Sequence, residues 1–201
     1  MSKIVILHGT PGSGKTTHAR RLKELWPVEV EHISIGDHLR SIRNGKVVSK
    51  YKEDIDAQTE LLAQSAPLNH EIVNGVVFEF IAQCPTVGYV LLDGFPRFIE
   101  QLPLFYDSMT SEHHDYLGII HLKISQLTCV LRLMYRGARP GEKAVDKDFA
   151  IWRFNEYQNN FLPAIALLGM NTTAVNIDAE PPIDVVWKTF YSRMYDFVFN
   201  S

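Results

Sequence analysis

Five short apolar runs punctuate the chain, each with the length and composition of a strand. They are KIVILHG (Lys3 to Gly9), VEHISIG (Val30 to Gly36), YVLLDG (Tyr89 to Gly94), LGIIHLKI (Leu117 to Ile124) and TTAVNID (Thr172 to Asp178). Their near-continuous apolar character predicts a sheet covered on both faces. The segments between them read as helices. In SQLTCVLRLMYRG, Leu127, Val130, Leu131 and Met134 follow helical spacing and predict one buried face. Arg132 and Arg136, four apart, share the opposite side, and Gly137 is a natural stop. DKDFAIWRFNEYQNNFLPAI predicts a second helix, entered near Asp148 and interrupted near Pro163.

Strands alternating with helices predict a parallel, right-handed, doubly wound α/β sheet, which binds ligands at the carboxyl ends of its strands. Two connections, Gly36 to Tyr89 and Ile124 to Thr172, are longer than a simple crossover. Long insertions at the ligand end of such a sheet predict substrate lids.

Composition adds exclusions. A chain of 201 residues suits one domain, and 46% apolar with 21% charged residues is globular rather than disordered. A net charge of −3 and the lack of any Lys/Arg tract argue against a nucleic-acid partner. Cys84 and Cys129, far apart in apolar settings, are expected to be buried reduced thiols rather than a disulfide or part of a zinc cluster. The first apolar run is too short for a signal peptide, and no run approaches the roughly 20 residues of a membrane span. A cytoplasmic protein with no membrane partner is expected.

Chemistry enters at HGTPGSGKTTHAR. Gly9, Gly14, Lys15 and Thr16 fit the pattern G-x-x-x-x-G-K-S/T between a strand and a helix. Such glycines let backbone N–H groups point into one anion-binding concavity, to which the helix adds its positive end and Lys15 a point charge. Thr16 suits Mg²⁺ or its waters. The chain is therefore expected to bind a nucleoside triphosphate. It has neither the N-K-x-D stretch of a guanine-reading GTPase nor an L-S-G-G-Q-like transporter segment.

A second signature, LLDGFPRFIEQ, specifies more. Asp93 ends an apolar strand where a carboxylate can hold the water shell of Mg²⁺. Gly94 and Pro96 shape a turn, and Arg97 follows with a planar fork suited to phosphate. Gln101, one helical turn on, carries a carboxamide able to accept from and donate to adenine.

Together these segments resemble the adenylate kinase family of nucleoside monophosphate kinases, over nearly the whole chain. GTPGSGKTT is similar to the family's G-x-P-G-x-G-K-G-T loop, with Thr16 in place of glycine. ISIGDHLR (Ile33 to Arg40) is similar to S-T-G-D-x-L-R, with Ile35 in place of threonine. APLNHEIV (Ala66 to Val73) is a loose L-V-P-x-E-x-V, and DGFPRFIEQ matches D-G-F-P-R-x-x-x-Q without a gap. RLMYRG and WRFNEY resemble the arginine helices beside the family's lid, and VNIDAEPPIDVV its closing strand and last helix.

The resemblance implies roles. Gly9, Pro11, Gly12, Ser13, Gly14, Lys15, Thr16 and Thr17 would hold the ATP phosphates, with Mg²⁺ at Thr16 and Asp93, through water. Ser34, Ile35, Arg40, Gly94 and Arg97 would bind the acceptor, Arg40 and Arg97 at its α-phosphate, and Gln101 would read its base. Arg132 would stack on the donor adenine, and Arg136 and Arg153 would converge on the phosphoryl group in flight, completing a catalytic set with Lys15 and Arg97. Read without the resemblance, Arg132 and Arg136 serve equally as the polar face of an amphipathic helix, and Arg153 as a partner for a carboxylate. The resemblance also implies a monomer, an acceptor-binding insert at about 36–72, and a short lid at about 136–148 lacking the longer, sometimes zinc-carrying insert. Where the family has an arginine after the lid glycine, Gly141 is followed by Glu142, with Arg139 and Lys143 as substitutes. The expected reaction is ATP + AMP to 2 ADP. UMP, CMP or another small acceptor, and a nucleotide-binding module with weakened turnover, are the alternatives.

Overall fold

In a computed structural model, which describes residues 2–58, 68–84, 88–137 and 145–199, each apolar run becomes a strand. These are β1 (Lys3–Gly9), β2 (Val30–Ser34), β3 (Tyr89–Asp93), β4 (Asp115–Lys123) and β5 (Thr173–Asp178). They form a parallel sheet in the order β2-β3-β1-β4-β5. Alternation along β1 explains the two layers. Ile4 and Ile6 face one apolar core, Val5 and Leu7 the other, and all four are fully buried. β5 departs from the expectation: as an edge strand it leaves Thr173, Ala174 and Asn176 exposed.

The helices are α1 (Lys15–Leu25), α2 (Ile35–Arg43), α3 (Lys52–Ala57), α4 (His70–Gln83), α5 (Gln101–Ser111), α6 (Gln126–Arg136), α7 (Lys147–Glu156), α8 (Leu162–Leu168) and α9 (Ile183–Phe199). Residues of α2, α3, α4, α5 and α8 join the Ile4 layer; those of α1, α6, α7 and α9 join the Val5 layer. No described helix is long and apolar enough to cross a membrane.

Three expectations are corrected. VEHISIG does not run as strand to Gly36: β2 stops at Ser34, and Ile35 opens α2 and is buried in the apolar core. On α6 the buried face is Cys129, Val130 and Leu133, while Leu127, Leu131 and Met134 are exposed. The buried stripe runs one position before the expected one, because Cys129 and Leu133 satisfy the same i, i+4 spacing. The second helix is capped by Asp146, whose carboxylate accepts from the Phe149 N–H at 2.8 Å, rather than entered at Asp148. Its interruption is a π turn, Tyr157–Phe161, after which Pro163 lies in the first turn of α8. Proline lacks an N–H and crowds the carbonyl four residues earlier, so a widened turn before it is the expected accommodation. Cys129 is buried and Cys84 half-buried; both are free thiols.

Candidate active site

Order β2-β3-β1-β4-β5 puts the topological switch between β1 and β3, whose following helices lie on opposite faces of the sheet, and a crevice opens there at the strand ends. The glycine loop leaves β1 there. Gly9 has φ 155°, and a Cβ on it would lie 2.4 Å from the Leu122 carbonyl oxygen, so the loop crosses β4 only as glycine. Gly14, with φ 90°, precedes the first turn of α1. Lys15 Nζ donates to the carbonyls of Gly9 (2.6 Å) and Thr10 (3.2 Å), which hold the ammonium against the loop. Pro11, Gly12, Thr16 and Thr17 complete this wall of the cleft. Ser13 does not line it; its side chain is turned inward and buried, beside Gly9.

At the end of β3, Asp93 Oδ2 accepts from Thr16 Oγ1 at 2.9 Å and lies 3.5 Å from His32 Nε2. Burial raises the Asp93 pKa, but the close approach of His32 and the Lys15 charge outweigh it and hold the carboxyl below its usual range. A hydroxyl beside an ionised carboxylate at the loop's mouth is a hard-oxygen pair suited to Mg²⁺, which keeps most of its waters. Among the described residues no cluster of three or more His, Cys, Asp or Glu forms a metal cage.

The turn after β3 aims Arg97 into the same cleft. Arg97 Nε donates to the Gly94 carbonyl at 2.6 Å, and its guanidinium lies 5.5 Å from the Phe161 ring centre. Arg40, one turn into α2, is braced by Asp37, which also binds Arg20 at 3.1 Å. A Cβ built on Gly36 would lie 3.5 Å from Arg40 Nη1 and 3.7 Å from Arg97 Nη2, so two guanidinium groups from separate elements converge here. Ser34 and Gly94 line the cleft. Gln101 does not: it is 3% exposed, and its Oε1 accepts from the Arg97 N–H (2.6 Å) and Phe98 N–H (3.2 Å).

Across the cleft, α6 presents Arg132 and Arg136 and α7 presents Arg153. Arg132 packs on Gly12 and donates to the carbonyls of Gly12 (3.4 Å) and Glu180 (3.1 Å). Arg132 thus turns from the polar face of α6 to the glycine loop, while Arg136 lines the cleft and stays exposed. Arg139, Gly141, Glu142, Lys143 and Ala144 of the expected lid lie outside the described residues, as do Ala66 and Pro67.

Sequence reasoning missed His8, Tyr157 and Phe161, which line the floor of the cleft. His121 Nε2 and the Tyr157 hydroxyl share a buried hydrogen bond there. A signal existed for one of them: Tyr157 lies four residues after Arg153 on the same helix face. His8 and Phe161 carry no pattern that separates them from core residues.

One cleft therefore gathers an anion-binding glycine loop, a lysine, five arginines from four elements and a hydroxyl–carboxylate pair. That is machinery for compensating several phosphate charges at once. A family model described as Adenylate kinase matches residues 7–172. An adenylate kinase of Sulfurovum sp. is 33% identical over 150 residues, 73% of each chain. An adenylate kinase of Xylella fastidiosa is 26% identical over 182 residues, covering 90% of this chain and 94% of its own. A uridylate kinase of Schizosaccharomyces pombe is 29% identical over 190 residues, 94% of this chain and 95% of its own. The chain belongs to the adenylate kinase family and is a nucleoside monophosphate kinase.

Proposed function

We propose that the protein transfers the γ-phosphoryl group of ATP reversibly to a nucleoside monophosphate, with AMP the leading acceptor. The convergence of Arg40 and Arg97 around Gly36, facing Lys15 and the arginines of α6 and α7, carries this reading. The glycine loop and Lys15 would hold the donor phosphates, Arg132 the donor adenine, and Arg40 and Arg97 the acceptor α-phosphate. Arg136 and Arg153 would neutralise charge on the group in flight. Mg²⁺ held at Thr16 and Asp93 would supply charge compensation for the donor phosphates. The acceptor's own phosphate oxygen attacks, so the protein need supply no covalent nucleophile; its work is alignment and exclusion of water. Residues 36–72 would form the acceptor-binding insert and residues 136–148 a short lid over the donor.

A pyrimidine monophosphate is the second reading. Gln101 Oε1 is occupied by the turn and the side chain lies off the cleft wall, so the carboxamide that would select adenine does not face the acceptor space. The test is Mg-ATP with AMP, CMP, UMP, GMP and dTMP separately, following diphosphate formation, with Arg97→Ala as control. AMP is expected to give the highest kcat/KM; UMP or CMP above AMP moves the assignment, and no product from any acceptor refutes transfer.

A further inference from the structure

The β1–β3 ladder ends at the pair Leu7 and Asp93, with one last bond from the Gly94 N–H to the Leu7 carbonyl at 3.3 Å. Beyond it the two chains part: β1 becomes the glycine loop on the donor side, and β3 becomes the turn carrying Arg97. His8 occupies the gap and is 2% exposed. Its Nδ1 accepts from the Gly9 N–H at 3.1 Å, which leaves the proton on Nε2 to be donated to the Pro96 carbonyl at 3.2 Å. One ring thus binds the first residue of the donor loop and the residue immediately before Arg97.

The surroundings hold that ring in place. Tyr157, Phe161 and His121 lie against it, with centroids 5.9, 6.3 and 6.5 Å away. Phe161 is also the ring beneath the Arg97 guanidinium. Burial, followed by the charges of Lys15, His121 and Arg97, pushes the His8 pKa well below its usual value, while the Pro96 bond opposes the fall. The imidazole is therefore neutral near pH 7 and keeps one tautomer. An aliphatic side chain would fill the volume but could not donate to Pro96.

We propose that His8 is a positioning residue that sets the spacing between the donor-phosphate loop and the acceptor-binding turn. The inference rests on the phosphoryl-transfer reading above, because only a reaction between two bound nucleotides depends on that spacing. Each half-site keeps its own ligand contacts without His8: the loop through its backbone and Lys15, the turn through the Arg97–Gly94 bond. What His8 adds is their relative placement, and a misplacement of about 1 Å can cost on the order of 10²-fold in rate.

The test compares His8→Leu, His8→Asn and His8→Gln with the wild type. Glutamine can place an N–H₂ where Nε2 stood; asparagine keeps an acceptor near Nδ1 but falls short of Pro96; leucine keeps only volume. Four quantities are measured: kcat with the acceptor the wild type prefers, the dissociation constants of ATP and of that acceptor separately, and the affinity of diadenosine pentaphosphate, one molecule carrying both nucleosides. Expected for His8→Leu and His8→Asn are a fall in kcat of about 10–100-fold, a parallel loss of pentaphosphate affinity, and unchanged binding of each nucleotide alone. His8→Gln should recover most of both losses. Wild-type kcat and pentaphosphate affinity in His8→Leu overturn the proposal. So does a variant that loses single-nucleotide binding in step with kcat, or a His8→Gln as damaged as His8→Leu. If His8→Leu fails to fold, the contrast of asparagine with glutamine decides by the same criteria. A wild type that transfers to no monophosphate refutes the transfer reading instead; pentaphosphate binding then still reads the spacing, and its absence in the wild type removes both.

Discussion

Replacing Gln101 by alanine should destabilise the protein before it alters specificity. The Gln101 oxygen accepts two backbone N–H groups, of Arg97 and Phe98, and the side chain is 3% exposed. Both bonds are only part-buried, so each takes the ordinary net value of about 0.5–1.5 kcal/mol rather than a full desolvation cost. Losing both comes to about 1–3 kcal/mol, similar to removing a strong helix cap. For a chain of this size that lowers the melting midpoint by roughly 2–4 °C per kcal/mol. Gln101→Glu separates the two roles. It keeps the acceptor oxygen and the turn but removes the N–H₂; with the side chain off the cleft wall, melting midpoint and acceptor KM should both stay close to the wild type, and a raised KM would assign the N–H₂ to the base. Differential scanning calorimetry of the three proteins, with acceptor KM measured on the same samples, makes the comparison. A Gln101→Ala midpoint equal to the wild type, with KM alone changed, would refute the turn-holding role.

Other perturbations test other parts. A Cβ at Gly75 would lie 2.1 Å from the Tyr51 hydroxyl oxygen, so Gly75→Ala should cost about 1–3 kcal/mol by overpacking, and Gly75→Ala/Tyr51→Leu should recover part of it in chemical denaturation. Arg153→Ala should lower kcat by roughly 10³-fold, by analogy with arginine fingers, and change ATP affinity far less in calorimetric titration. Acid should weaken the fold well above the carboxylate range. Burial pushes His18 and His121 down to about 4, with Arg21 and Arg132 adding to the effect on His18 and Lys123 to that on His121. Between about 4 and 6.5 the unfolded chain binds these protons and the fold does not, so stability is complete above about 6.5 and falls with pH through that window, by at most about 1.4 kcal/mol per pH unit for each histidine. Melting midpoints measured from neutral pH to about pH 4.5 check the sign; a rise on acidification would contradict it.

The strands and the glycine loop were legible in the sequence because each depends on local composition or on residues fixed relative to one another along the chain. Lys15, Thr16 and Asp93 fall together once β1 and β3 are neighbours, and the apolar runs imply the strands. Positions that depend on facing were less legible. Leu127 and Leu133 have equal claims to a helix core until the sheet is in place. Ile35 belongs to a segment similar to an acceptor motif, yet its side chain packs in the core with Ile33 and Ile42. Gln101 carries the right group for a base, but hydrogen bonding to Arg97 and Phe98 is a backbone matter that side-chain chemistry does not reveal. His8 is the clearest case: its value lies in contacts to Gly9 and to Pro96, 88 residues away.

On this reading the phosphoryl group passes directly between nucleotides across the Arg40–Arg97 side of the cleft. The most direct measurement uses ATP labelled in its γ-phosphate, with AMP and Mg²⁺, on wild type and Arg97→Ala, followed by separation of nucleotides from inorganic phosphate. Label should appear in the β-position of ADP formed from AMP, with little released as inorganic phosphate and transfer lost in Arg97→Ala. Label that stays in ATP, or appears only as inorganic phosphate, would contradict it.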